Sequence, residues 1–505
     1  MRRLVALPIL AAVAAVTVLP AHPAVAETTA TSGCMQSVPD PGTTTPVDIC
    51  YTLFQPAGAS KAAPVPMVMS SHGWGGSRTT DPAAFADLLD AGFGVISFDQ
   101  RGFGESGGQA YVENPDVEGK DVQRLVDLVA GVTWVKKTKP GDPVLGAIGG
   151  SYGGGYQFVG AFSELRDKGY TRFDALVPQI TWSSLTESLF PQGVARTEWI
   201  AALYAGAAST NALPTSVTTG LAEAAATGNV PPSIYDFFAK NGPAWHVGQG
   251  RKLDIPVLFG QGATDNLFPL DQGLKNFQKA LTDRARAKSI FIGYNGGHTL
   301  PGVLPTGSLD TTANDPCSTV VGGGDFGVLT LRFLRENLQG KKAGLTGKGI
   351  YHLATAGGRC VTVPSTAPNT TVRLGDVIST VGVGAPMSYP IAQGPITVAG
   401  TTTLDATVTA LGPDNRVFLA LAVGTSPADA KIVQNNMLPL REVGTVINKP
   451  RTGVELPSVA VDVPEGQTLF LMVSPISDMA AGFGSRVAGP MTLEDVAVRL
   501  PVTAE

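Results

Sequence analysis

The stretch VLGAIGGSYGGGYQ, residues 144–157, sets one serine, Ser151, among neighbours that mostly lack side chains. Glycine reaches positive φ at no steric cost, so a Gly-rich turn between a strand and a helix is ordinary. Gly149 to Gly153 also reads G-x-S-x-G. That is the pattern of a strained strand-to-helix turn that lifts a nucleophilic serine hydroxyl clear of the backbone. In a chain with 61 glycines among 505 residues the pattern alone is weak. It gains weight if a strand precedes it, a helix follows it, and an acid and a histidine come later in that order.

The surroundings supply that context. PVPMVMSSHGWGG (64–76) reads as a buried strand running into a Gly-rich loop, and DPAAFADLLDAG (81–92) as a helix with an Asp-Pro start and a Gly stop. FGVISFDQRGFGES (93–106) reads as a second buried strand and a turn. Val122, Leu125, Val126 and Val129 recur at helical spacing. DPVLGAIGG is then a short strand, GGGYQFVGAFSEL the helix after the serine, and FDALVPQIT another strand. Alternating β and α elements of this kind predict a parallel sheet.

Residues 182–250 break the rhythm with Ala-rich helical pieces and read as a helical cap inserted over the sheet's carboxyl edge. The rhythm returns in IPVLFGQGATDNLFP (255–269), SIFIGYNGGH (289–298) and the helical FGVLTLRFLREN (326–337). After the Gly- and Lys-rich stretch 338–349, short apolar runs alternate with turn residues, which predicts an all-β sandwich or jelly roll over 350–505. The expected organisation is a signal over 1–26, an N-terminal extension over 27–60 with CYTLFQP (50–56) as an edge strand, an α/β domain over 61–340, and the β domain.

Arg2 and Arg3, the apolar run Leu4 to Leu19 and the small residues Ala24-Val25-Ala26 are the parts of a cleaved export signal, so a secreted chain starting at Glu27 is expected. No later stretch is long and apolar enough to span a bilayer. Four cysteines suit an oxidising compartment and two disulfides. Proximity favours Cys34–Cys50 and Cys317–Cys360, with three connectivities open. No C-x-x-C or histidine cluster suggests a metal, and no cofactor is expected. With 36 basic against 41 acidic residues, the chain lacks the charge of a nucleic-acid binder.

A serine hydroxyl needs a base to become a nucleophile. Of the five histidines, His298 in NGGHTLPG ends a predicted strand and is the expected base. Asp265, in GQGATDNLFP after the strand IPVLFG, is the expected acid, favoured over nearby Asp271 because it closely follows the strand. An oxyanion hole needs backbone N–H groups aimed at the developing charge. Tyr152, next to the serine, and Trp74, in the SSHGWGGSR loop, are the expected donors.

HGWGGSR, FDQRGFGES, GGSYGGGYQ, GQGATDNLFP and GGH together resemble the α/β-hydrolases of the X-Pro dipeptidyl peptidase and cocaine esterase family, in an exported bacterial form. The resemblance implies an α/β-hydrolase fold with a helical cap and a C-terminal jelly-roll-like domain. It implies Ser151 as nucleophile, Asp265 as acid, His298 as base, and an acyl-enzyme. Tyr152 matches the family's usual residue after the nucleophile. Trp74 departs from it, since characterised members often place a tyrosine hydroxyl in the oxyanion hole from that loop, so a backbone donor is expected here.

The resemblance implies a small peptide or ester substrate. A dipeptidyl peptidase must grip a free amine, and Glu187, Glu198 and Asp236 in the cap are candidates, weighed against ordinary surface charge. Trp182 and Trp199 are candidate pocket walls, weighed against ordinary cap core. The readings are thus an exported X-Pro dipeptidyl peptidase-like serine hydrolase, a carboxylesterase, or a non-catalytic binding protein on the same fold. Oligomeric state is left open.

Overall fold

The computed structural model describes residues 27–208, 210–299, 313–375, 378–380, 385–480 and 490–503. The expected export signal, 1–26, lies outside the described residues. The chain runs β1 (Thr29–Ser37), β2 (Val47–Gln55), β3 (Met67–Ser71), α1 (Ala86–Asp90), β4 (Gly94–Phe98), α2 (Glu118–Gly131), β5 (Leu145–Gly150), α3 (Tyr152–Lys168) and β6 (Ala175–Gln179). Cap helices α4 (Leu185–Leu189), α5 (Thr197–Ala208), α6 (Thr215–Thr227), α7 (Pro232–Phe238) and α8 (Pro243–Gly248) follow. Then come β7 (Leu258–Gly262), α9 (Leu270–Lys275), β8 (Ile290–Tyr294), α10 (Pro316–Gly322), α11 (Phe326–Gln339), β9 (Tyr351–Ala354) and β10 (Cys360–Val363).

These ten strands form one sheet in the order β1-β2-β4-β3-β5-β6-β7-β8-β9-β10. Neighbours from β4 to β9 are parallel, and the two ends are antiparallel. The parallel strands are short, nearly continuous apolar runs because helices cover both faces. Met67, Met69, Leu145, Phe259 and Phe291 point into one layer with α2, α3 and α9. Their alternates Val68, Leu258, Ile290 and Ile292 point into the other with α1, α10 and α11. From β3 the chain crosses to β4 on one side and then returns to β5 on the other. Ligands of open α/β sheets bind at the carboxyl ends of strands where the order reverses, here β3 and β5.

Two sequence expectations change. CYTLFQP is not an edge: β2 lies between β1 and β4. The edge is β1, whose mostly exposed, polar side chains show no apolar alternation. Its pairing places Cys34 opposite Cys50, and the two form a disulfide. The boundary near 350 also moves. β9 pairs parallel with β8, and Cys360 of β10 is bonded to Cys317 of α10, so residues 351–363 complete the first domain's sheet.

Beyond them the chain is built of antiparallel strands. Thr403–Ala410 and Met491–Leu500 belong to one sheet, Asp414–Gly424 and Thr468–Ser474 to another. Leu404, Val408, Leu493 and Val498 of the first meet Leu419, Leu421, Leu469 and Leu471 of the second in one apolar core. That is the expected all-β sandwich.

Candidate active site

Ser151 sits at φ 57°, ψ −123°, in the half-turn between β5 and α3. The glycines of the opening stretch make this conformation sterically available. A Cβ on Gly149, itself at φ +148°, would lie 2.4 Å from the Gly153 carbonyl oxygen, and one on Gly153 would lie 2.5 Å from that of Ser71. No side chain fits at either position. Gln157, fully buried one turn into α3, staples the bend: its amide nitrogen donates to the Gly149 and Gly153 carbonyls at 3.2 and 3.1 Å.

The Ser151 hydroxyl lies 2.8 Å from His298 Nε2, and His298 Nδ1 lies 2.7 Å from Asp265 Oδ2. Asp265 is fully buried in the turn after β7. Its Oδ1 accepts the amides of Leu267 and Phe268, and Oδ2 also accepts the amide of His298. Trp199 and Phe268 flank the imidazole in T-shaped contacts, with ring centroids 5.9 and 5.3 Å away. Asp271, the rival acid, lies on α9 and pairs with Lys275 at 3.4 Å.

The loop after β3 faces the serine. His72 Nε2 accepts the Gln100 amide at 3.0 Å, so the ring proton is on Nδ1 and donates to the Gly73 carbonyl at 2.8 Å. Burial lowers the His72 pKa and keeps this ring neutral, which suits both bonds. The Trp74 indole donates to the Leu203 carbonyl at 2.9 Å, so its ring is tied to the cap. The backbone N–H groups of Trp74 and Tyr152 donate to no protein acceptor among the described residues.

An apolar pocket opens at Ser151, between sheet and cap. Trp182, Leu189, Phe238 and Phe268 help to line it. Trp182 thus lies in its wall. Trp199 does not; it packs on His298 and donates to Asn266 Oδ1 at 2.9 Å. The two candidate glutamates are also elsewhere: Glu187 and Glu198 are absent from the lining. Glu187 pairs with Lys275 at 2.9 Å, and its side chain is 54% exposed. Asp236 is exposed on α7.

Arg196 and Glu113 were not legible beforehand. Arg196 is buried beside the turn that carries Asp265, and its Nη1 donates to the Asn266 carbonyl. Burial lowers its pKa to about 10, with Asp271 and Asp265 opposing the shift. Glu113 is buried near Trp182, with both carboxyl oxygens unpaired among the described residues. Burial, reinforced by Glu118 and Asp121, raises its pKa well above 4.5.

A carboxyl held neutral by the fold ionises on unfolding at higher pH. Its stabilising contribution is therefore complete below the unfolded value of 4.5 and lost as pH rises toward the raised folded value. Glu113→Gln is expected to raise the Tm at pH 8 and to leave it unchanged near pH 4. Calorimetry across that range checks this; an equal shift at both ends would remove titration as the cause.

Comparisons with known proteins agree with this architecture. A CocE/NonD family hydrolase from Staphylococcus aureus shares the fold at a TM-score of 0.62 and 12% identity, covering 94% of this chain and 96% of that one. An α-amino acid ester hydrolase does so at 0.57 and 14% identity, covering 97% and 99%. These likenesses show an α/β-hydrolase fold. The X-Pro dipeptidyl-peptidase (S15) family model matches residues 46–299, and the chain belongs to that family. An uncharacterized 31.7 kDa protein from the traX-finO intergenic region of Escherichia coli is 33% identical over 122 residues. That match covers 24% of this chain, which spans about two fifths of that relative's length, the matched share being 40%.

Proposed function

We propose that the protein is an exported serine hydrolase that cleaves peptide or ester bonds through Ser151. The observation that carries this is the unbroken hydrogen-bonded chain Asp265–His298–Ser151 at the mouth of an apolar pocket. His298 Nε2 takes the Ser151 proton as Oγ attacks the substrate carbonyl. The oxyanion meets the backbone N–H groups of Trp74 and Tyr152. His298 passes the proton to the leaving amine or alcohol, and a water activated by the same imidazole then releases the acyl group. Asp265 holds the ring and stabilises its charged form.

Family membership supports an X-Pro dipeptidyl peptidase-like substrate. The pocket supports a second reading, a carboxylesterase: beyond Ser151, its lining is apolar and aromatic, and it includes no carboxylate among the described residues. Export is supported by two disulfides, which suit an oxidising compartment. Among the described residues, no helix is long and apolar enough to cross a membrane.

The test is an assay of the purified chain on an X-Pro anilide with a free N-terminus and on a short-chain acyl ester, alongside fluorophosphonate labelling. Anilide cleavage supports the peptidase, and ester cleavage alone the esterase. A chain that fails to react with the fluorophosphonate is not a serine hydrolase, and the binding-protein reading would then stand.

A further inference from the structure

We propose that the turn Gln434–Asn436 of the C-terminal domain positions the catalytic acid and base, so that the β domain is part of the working active site. This rests on the Ser151–His298–Asp265 reading. Asn436, 3% exposed, donates from Nδ2 to the Asp265 main-chain carbonyl at 3.2 Å. Gln434, fully buried, donates from Nε2 to Asn295 Oδ1 at 2.9 Å and to the Ala354 carbonyl at 3.0 Å, while its Oε1 accepts the Ala460 amide at 2.9 Å. Asn295 stands three residues before His298, where β8 ends, and donates to the Thr355 carbonyl at 2.8 Å. One short turn therefore grips the acid's backbone with one side chain and the root of the base's loop with another.

The backbone of the turn fits such a task. Gln434 and Asn435 both adopt positive φ, 50° and 53°, a region that residues with a Cβ avoid. Strained residues persist where the surroundings over-determine them, and they gather at functional sites. The turn sends the amide side chains of Gln434 and Asn436, one residue apart, to acceptors in the first domain. The two gripped loops also bind each other: the Asn266 amide donates to the His298 carbonyl at 3.0 Å. A shift of either loop would alter the Asp265–His298 and His298–Ser151 distances together. Gln434 and Asn436 are positioning residues, since they hold the acid and base loops rather than the serine.

The test uses the full mature chain and measures three quantities: fluorophosphonate labelling rate, kcat and KM on p-nitrophenyl butyrate, and Tm. The variants are Asn436→Ala, the near-isosteric Asn436→Leu, which removes the donor without adding a charge, and Gln434→Ala. Loosened positioning predicts labelling and kcat about 10- to 100-fold lower at nearly unchanged KM. Asn436→Leu decides the case should alanine lower the Tm enough to obscure it. Wild-type labelling and kcat in a folded Asn436 variant would overturn the proposal, as would losses that appear only as the variant melts. Labelling that persists in Ser151→Ala would instead remove the triad reading beneath it. Labelling abolished in Ser151→Ala but normal in both Asn436 variants would remove the positioning role alone.

Discussion

Ser151→Ala is expected to lower kcat by about 10⁶-fold while leaving the fold intact. Alanine keeps the Cβ, so the left-handed backbone at φ 57° is strained to the same degree in both chains. What disappears is Oγ, whose hydrogen bond is to His298 Nε2 at 2.8 Å. Without Oγ no acyl-enzyme forms, and any residual turnover comes from water attacking a carbonyl polarised by the Trp74 and Tyr152 amides. Single-turnover kinetics on whichever chromogenic substrate the chain accepts, with a melting curve for each protein, would measure both halves of the expectation. A variant that keeps even a tenth of the wild-type rate would show that another group is the nucleophile.

Asp265→Asn is expected to cost about 10⁴-fold in kcat and also some stability. The carboxylate accepts four N–H groups, from Leu267 and Phe268 on one oxygen and from the His298 backbone and ring on the other. An amide has one oxygen and two donors of its own, so either orientation sets N–H against N–H. If the NH₂ faces His298, it donates to Nδ1 and forces the ring proton onto Nε2, which then cannot take the serine's proton. If it faces the turn, the Leu267 and Phe268 amides lose their acceptor inside the protein, a loss of about 1–3 kcal/mol. Comparing kcat with Tm separates the two effects. Activity within tenfold of wild type would deny Asp265 its role.

The parts of the site legible in advance were those whose chemistry depends on local sequence. A G-x-S-x-G between an apolar strand and a helix needs glycines where backbones nearly touch, as Gly149 and Gly153 do. An acid and a histidine, each just after an apolar run, follow from the rule that parallel strands end at the site. The cap glutamates show the limit of such reasoning. Glu187 and Glu198 occupy the right segment but not the pocket wall, because helical phase and cap packing decide which face turns inward. Arg196 and Glu113 escaped notice because a charged residue announces nothing about its burial from sequence.

The amino-acid sequence by itself pointed to the layered α/β architecture, the cap, the β domain, and Ser151, His298 and Asp265 as a linked set, and it favoured, among three connectivities, the disulfides that form. Each rests on short-range physics: apolar periodicity, turn chemistry, and the spacing of cysteines. Tertiary structure alone decided the rest. β1 is a polar edge strand that exists because β2 and the Cys34–Cys50 bond hold it. β9 and β10 complete the first domain's sheet because β8 offers a free edge. Asn436 reaches Asp265 across 171 residues of chain. Contacts of that kind are selected by the packing of whole domains, and no local pattern encodes them.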